Sequence, residues 1–217
     1  MKVDIDEVYK ILAGEVKKYK VPVIDLIKLQ TNDPFKVLLG TILSARTKDE
    51  ITVKASERLF LKVNKPSDLE NLSLREIEKL IFPVGFYKNK ARFLKALPKV
   101  LNEEFGGKIP DTVEELIRLP GVGRKTANLV VTVGFGKPAM CVDTHCHRIS
   151  NRLGYVKTNN PLETEMALRK KLPKEYWLDY NSMLVAFGQH LCTPISPHCS
   201  KCPIIIYCNR VEVVSSR

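Results

Sequence analysis

Apolar positions along this chain recur mostly at helical spacing. Val8, Leu12, Val16 and Tyr19 fall on one stripe, while Glu7, Lys10, Glu15 and Lys18 can face water, which predicts an amphipathic first helix. Thr31-Asn32-Asp33-Pro34 offers cap candidates and an early-turn proline. It precedes Phe35, Val37, Leu38, Leu39, Ile42 and Leu43, which are apolar enough for a central helix. Ile51, Ala55, Leu59 and Phe60 predict the next helix. Ser73-Leu74-Arg75-Glu76 has the capping-box form ahead of Ile77, Leu80 and Ile81, and Thr112-Val113-Glu114-Glu115 repeats that form ahead of Leu116 and Ile117. Further helices are predicted over Lys90 to Phe105, Thr144 to Leu153, Asn159 to Leu172 and Glu175 to Leu191.

Leu129-Val130-Val131-Thr132-Val133 is ambiguous, because its β-branched residues also suit a short buried strand. It reads as helix, since its surroundings are helical and no partner strands are visible. Gly106 to Pro110 and Gly134 to Pro138 are breaks. Short helices joined by short turns, without repeats or low-complexity tracts, imply an all-α fold.

Composition adds a partner class. With 35 Lys and Arg against 24 Asp and Glu, the 217 residues carry a formal charge of +11. A phosphate polymer suits that balance through counterion release, although a basic soluble protein without such a role has the same composition. No apolar run approaches the roughly 18 residues of a membrane span. The opening Met1-Lys2-Val3-Asp4-Ile5-Asp6 has no secretory apolar region. The expectation is an intracellular monomer, cytoplasmic or nucleoid-associated.

Six cysteines are too sparse for a disulfide scaffold, and four of them crowd into the C-x6-C-x2-C-x5-C run of Cys192, Cys199, Cys202 and Cys208. That clustering reads as ligation by thiolates, with zinc and an iron-sulfur cluster both open on spacing alone. Cys141 and Cys146 lie outside it and read as packed thiols.

Two further segments carry candidate chemistry. Pro120-Gly121-Val122-Gly123 between apolar helices allows a tight turn whose glycines leave backbone N–H groups uncovered, with Arg124 and Lys125 beside it for a phosphate. A packing turn explains the glycines equally well, and the spacing fits neither a dinucleotide fingerprint nor a Walker A loop. Lys125 is a candidate amine nucleophile, or else a surface lysine or simple phosphate contact. Asp143 precedes the helix from Thr144 and reads as an N-cap. Capping leaves a carboxylate ionised, and an ionised carboxylate can stabilise positive charge developing on a sugar.

Leu119-Pro120-Gly121-Val122-Gly123-Arg124-Lys125-Thr126-Ala127, together with Val142-Asp143-Thr144-His145, closely resembles the endonuclease III family of DNA glycosylases, within the helix-hairpin-helix superfamily. The resemblance spans nearly the whole chain. It implies a two-lobed all-α helix-hairpin-helix DNA glycosylase fold with a DNA-binding groove between the lobes. Residues 27–137 would form a six-helix lobe containing the hairpin, and residues 1–26 with 138–217 the lobe bearing a C-terminal iron-sulfur cluster loop. It also implies a bifunctional DNA N-glycosylase and abasic-site lyase of base excision repair. The partner would be double-stranded DNA containing damaged pyrimidines or abasic sites.

By the same resemblance Lys125 is the nucleophile, Asp143 the essential carboxylate, and the four cysteines hold one [4Fe-4S] cluster, zinc being the alternative. From the residues themselves, Gly121, Gly123 and Arg124 are candidate DNA contacts, and His145 is either a contact to DNA or its neighbouring backbone or, equally, a structural histidine. Arg46 stands where the family often has glutamine, near the gap left by a flipped nucleotide, which leaves opposite-base readout open. Phe86 corresponds to an often aliphatic wedge residue, and its alternative is a core ring. Between the outer two cysteines only Lys201 carries a fixed positive charge, fewer than in well-known relatives. Two other readings compete: a DNA-binding module with a structural metal and no glycosylase activity, and a monofunctional mismatch glycosylase.

Overall fold

Capping chemistry decides where most of these helices begin. A computed structural model describes residues 3–19 and 22–217; of the opening segment, Met1 and Lys2 lie outside them. Eleven α-helices follow along the described residues: α1 (Ile5–Glu15), α2 (Val23–Thr31), α3 (Pro34–Ser44), α4 (Asp49–Phe60), α5 (Leu74–Ile81), α6 (Tyr87–Phe105), α7 (Val113–Leu116), α8 (Arg124–Leu129), α9 (Thr144–Leu153), α10 (Pro161–Lys171) and α11 (Tyr180–His190). No strand occurs among them, and the all-α expectation holds.

Asp33 accepts from the Phe35 N–H at 2.9 Å, with Pro34 opening α3. Ser73 and Glu76 form both halves of a capping box at α5. At α7, Thr112 accepts from the Glu115 N–H, but the Glu115 carboxylate takes the Thr112 hydroxyl rather than its backbone N–H. The ambiguous segment from Leu129 is helical. It widens after α8 into a π-helical turn over Val130–Gly134, every residue of which is buried.

The chain divides into two compact units, residues 23–139 and residues 1–22 with 140–217. In the first unit α3 is the centre. Phe35, Val37, Leu38, Leu39, Ile42 and Leu43 are all buried, so α3 is covered around most of its circumference, as a core helix must be. Truncating Leu38 or Leu39 to alanine would cost about 2–5 kcal/mol. α2 packs on α3 through Val23, Ile24 and Ile27 and was not anticipated from the sequence. α6 begins at Tyr87, three residues before the predicted start, because Phe86 supplies a left-handed entry.

In the second unit α9 and α11 pack around Ile149, Leu153, Leu184, Phe187 and the fully buried Tyr180. The Tyr180 hydroxyl lies 3.2 Å from Ser150 Oγ, satisfying both groups away from water. α1 joins this core through Val8 and Leu12. Tyr9 donates to Asp179 at 2.6 Å, Tyr176 donates to Asp6 at 2.8 Å, and the two rings stack with centroids 3.8 Å apart. Predicted helix starts at Asn159 and Glu175 move to Pro161 and Tyr180, the latter after a single 3-10 turn at Lys174–Tyr176. Trp177 sits in that lead-in, donating to the Leu172 carbonyl.

No helix is long and apolar enough to cross a membrane among the described residues.

Candidate active site

In the unit of residues 23–139, α7 and α8 flank the glycine turn. The Val122 N–H donates to the Leu119 carbonyl, and Gly121 adopts φ +78°, a left-handed value that favours glycine. A side chain at Gly121 would come within 2.6 Å of the Phe93 ring, so the turn is pressed against α6. Gly123 is the N-cap of α8; it is exposed, and nothing lies within 4 Å of where a side chain would start. Val122, between the two glycines, is buried and pins the turn to the core. Arg124 is half-buried and Lys125 is exposed, both in the first turn of α8, while the buried Ala127 anchors that helix.

The same unit presents Arg46 and Phe86. Both are exposed and both are left-handed, at φ +54° and +56°. The Arg46 guanidinium carbon stands 5.5 Å from the Phe86 ring centroid, within cation–π range. Phe86 is 60% exposed, which excludes the core alternative for its ring.

In the unit of residues 1–22 and 140–217, Asp143 is the N-cap of α9. Its Oδ1 accepts from the His145 and Cys146 N–H groups, each at 2.9 Å, and from Asn181 Nδ2 at 3.4 Å. The capping role read from sequence is present, and the carboxylate is fixed in orientation by backbone donors rather than by a flexible partner. The His145 ring is half-buried, its Nδ1 3.2 Å from Arg148 Nη2. It packs where Gly188 of α11 leaves no room for a side chain. Cys141 and Cys146 are buried, as packed thiols should be, and burial pushes the Cys146 thiol well up.

Cys192, Cys199, Cys202 and Cys208 line one cavity, with Leu153, Phe187, Ile204 and Val213 among its apolar walls. All four are free thiols. Burial pushes the Cys202 thiol up to about 11 and raises Cys208 as well, and in both the neighbouring cysteines add to the rise. Four cysteine sulfurs around one apolar-walled space are soft donors that a cationic group would hold together, so the donor set fits a thiolate-ligated metal centre. Among the described residues no three His, Cys, Asp or Glu side chains close on a single bare-ion position. The four sulfurs border a shared space instead.

Two residues important to this region were not singled out from the sequence. Arg152 donates to the carbonyls of Thr193 (2.7 Å) and Pro194 (2.6 Å), with Nη1 3.5 Å from the Cys192 sulfur. Arg148 donates to the carbonyls of Cys192 (2.8 Å) and Gly188 (3.3 Å). Positive charge therefore reaches the cysteine loop from α9 and not only from Lys201 within it. The available signal was their i, i+4 spacing on one face of the helix that Asp143 caps.

Residues 39–174 match the HhH-GPD superfamily base excision DNA repair protein family. The chain is 49% identical over 176 residues to endonuclease III of Thermotoga maritima, covering 81% of this chain and 83% of that protein. It is 40% identical to endonuclease III of Bacillus subtilis, covering 83% of each.

This chain belongs to the endonuclease III family.

It is accordingly a base excision repair DNA glycosylase and abasic-site lyase. Among solved structures, a non-covalent endonuclease III–DNA complex superposes with a TM-score of 0.84 at 36% identity, covering 97% of both chains. A trapped endonuclease III–DNA covalent intermediate does so with a TM-score of 0.77 at 41% identity, covering 82% of this chain and 84% of that one. As an endonuclease III family member the chain holds its glycine hairpin, its exposed Arg46–Phe86 pair and its cysteine cavity on all-helical scaffolding, with each group at the end of a helix.

Proposed function

We propose that the chain removes oxidised pyrimidines from double-stranded DNA and then cuts the resulting abasic strand, with Lys125 as nucleophile and Asp143 as the charged partner of the reacting sugar. The observation that carries this reading is the exposed position of Lys125 in the first turn of α8, directly after the glycine turn. A packing lysine would be buried; Lys125 is an exposed residue.

The damaged nucleotide leaves the helical stack so that its sugar becomes accessible. The Lys125 amine attacks C1′, the bond from C1′ to the base breaks, and the base departs with the bonding pair and takes up a proton. Ring opening of the deoxyribose leaves a protonated imine between C1′ and Nζ. That cation acidifies the C2′ proton; its loss expels the 3′ phosphate oxygen from C3′, and the strand breaks on the 3′ side. Water then hydrolyses the imine and frees Lys125. Asp143, its carboxylate oriented by the N–H groups at the head of α9, stabilises the positive charge that builds on the sugar as the base leaves.

Gly121 and Gly123 leave the backbone open for a phosphate, Arg124 supplies charge beside it, and Arg46 and Phe86 enter the space the displaced nucleotide vacates. His145 contributes through its backbone N–H, which orients Asp143, and its ring lies toward the same end of α9. Cys192, Cys199, Cys202 and Cys208 would hold one [4Fe-4S] cluster. Bound there, such a group supplies the cationic centre that ties three separated turns of chain together. No step of the elimination is assigned to it.

Borohydride trapping tests the reading. Incubated with a duplex containing thymine glycol or an abasic site, the wild-type protein forms a covalent protein–DNA adduct on reduction, and Lys125→Ala forms none. Base release without adduct or strand cleavage by the wild type would instead assign a monofunctional glycosylase.

A further inference from the structure

Lys90 lies in α6 one turn after Phe86 and is only 5% exposed. A buried ammonium must have its donors satisfied. Lys90 Nζ donates to the Leu43 carbonyl at 2.8 Å, to the Ala45 carbonyl at 2.6 Å and to the Thr47 hydroxyl at 3.2 Å. All three acceptors belong to one stretch at the end of α3, where helix carbonyls lack intrahelical partners and the helix dipole favours a cation. The Thr47 hydroxyl also accepts from the Gly85 N–H at 3.1 Å. A side chain at Gly85 would overlap the Arg46 carbonyl oxygen, so the two strips of backbone meet there without space to spare.

Residues 43–47 and 85–90 are thus joined through one amine and one hydroxyl, and they are the strips that carry Arg46 and Phe86. Each of those two residues is held left-handed, a conformation that is strained for non-glycine residues and persists only where its surroundings enforce it. Nothing in simple packing calls for an ammonium at position 90. Burial disfavours its charge and pulls the amine down to about 8, whereas an apolar side chain of that length would fill the same space without the penalty.

We infer that Lys90 is a positioning residue for the repair reaction: its ammonium sets the paired Arg46 and Phe86 side chains in the arrangement that enters the opened duplex. The inference rests on the reading that Arg46 and Phe86 do enter it. Lys90 itself touches no substrate. It acts by fixing the backbone from which both side chains project, in the way that a supporting layer of hydrogen bonds holds a site to its working geometry.

The test uses the metal-loaded protein and a duplex carrying tetrahydrofuran, an uncleavable abasic analogue, opposite 2-aminopurine. Entry of Arg46 and Phe86 unstacks the opposite base and raises its fluorescence. Amplitude is read at saturating protein, so a lower folded fraction or weaker affinity does not change it. Lys90→Met is expected to lower the saturating amplitude by about half or more, and Thr47→Val, which removes the shared hydroxyl but not the amine, to lower it less. Should Lys90→Met fail to fold, Thr47→Val decides. Arg46→Ala and Phe86→Ala separate the two ideas. If neither changes the amplitude, the assignment of those side chains to the duplex fails. If they lower it while Lys90→Met and Thr47→Val keep the wild-type amplitude, the role of Lys90 is overturned. A Lys90→Met protein altered only in melting temperature also overturns it.

Discussion

Arg152 donates from Nη1 to the Thr193 carbonyl at 2.7 Å, which ties the last turn of α9 to the residue next to Cys192. Asp143 caps the first turn of the same helix. The catalytic carboxylate proposed above and the grip on the first cysteine therefore share ten residues of rigid helix, and disturbance at one end is resisted by hydrogen bonds at the other.

Replacing Arg152 by methionine keeps the aliphatic bulk and removes those bonds. Charged hydrogen bonds to carbonyls contribute about 1.5–3 kcal/mol each before solvent screening, so Arg152→Met should lower the melting temperature and speed loss of metal to a chelator. Iron and acid-labile sulfide analysis with visible absorption checks this. The wild-type protein is expected to contain both in equal amounts, and zinc alone would replace the cluster with a single ion.

Capping and catalysis by Asp143 separate chemically. Asparagine caps helices as well as aspartate but carries no charge. Asp143→Asn should keep the wild-type melting temperature and lose base release in single-turnover assays. Asp143→Ala should lose base release and also about 0.5–2 kcal/mol of stability. Normal base release by Asp143→Asn would remove the carboxylate from the chemistry.

The two hairpin glycines differ in what they protect. Gly121→Ala forces a left-handed alanine against Phe93 and is expected to destabilise the fold by about 1–3 kcal/mol. Gly123, with an ordinary φ of −92° and open space around it, should accept alanine with an unchanged melting temperature. Its methyl would stand between the backbone and a phosphate, weakening duplex binding in a filter or anisotropy titration. Unchanged affinity would remove Gly123 from the phosphate contact.

Lys90 predicts a pH dependence whose sign follows from burial. Its folded amine sits near 8 and its unfolded amine near the ordinary 10.5, so between those values the unfolded chain binds more protons. Stability contributed through Lys90 therefore rises from about pH 8 to 10.5, by at most about 1.4 kcal/mol per pH unit. Denaturant melts of wild type and Lys90→Met across that range should differ by this upward slope. Parallel curves would mean that the buried ammonium keeps its ordinary affinity for protons.

Local order was legible in the chain wherever one short pattern suffices. The α3 cap at Asp33, the α5 capping box at Ser73 and Glu76, and the α9 start at Asp143 all follow from a side chain that satisfies an N–H two or three residues away, a geometry that needs no distant partner. The family, the four metal-ligating candidates and the hairpin glycines were legible for the same reason, each being a run of residues at fixed spacing.

Only tertiary structure decided what depends on residues far apart in sequence. α2 escaped notice because Val23, Ile24 and Ile27 acquire their helical setting by burial against α3, while their own β-branched preference points the other way. Phe86 became a surface ring at the start of α6, and Lys90 a buried cation through acceptors more than 40 residues away in the chain. Arg148 and Arg152 look like two more basic residues on a helix until the Cys192–Pro194 carbonyls are folded against them. Spacing along a chain encodes partners within a turn or two; the cost of leaving a distant charge or carbonyl unsatisfied is settled only when packing removes its water.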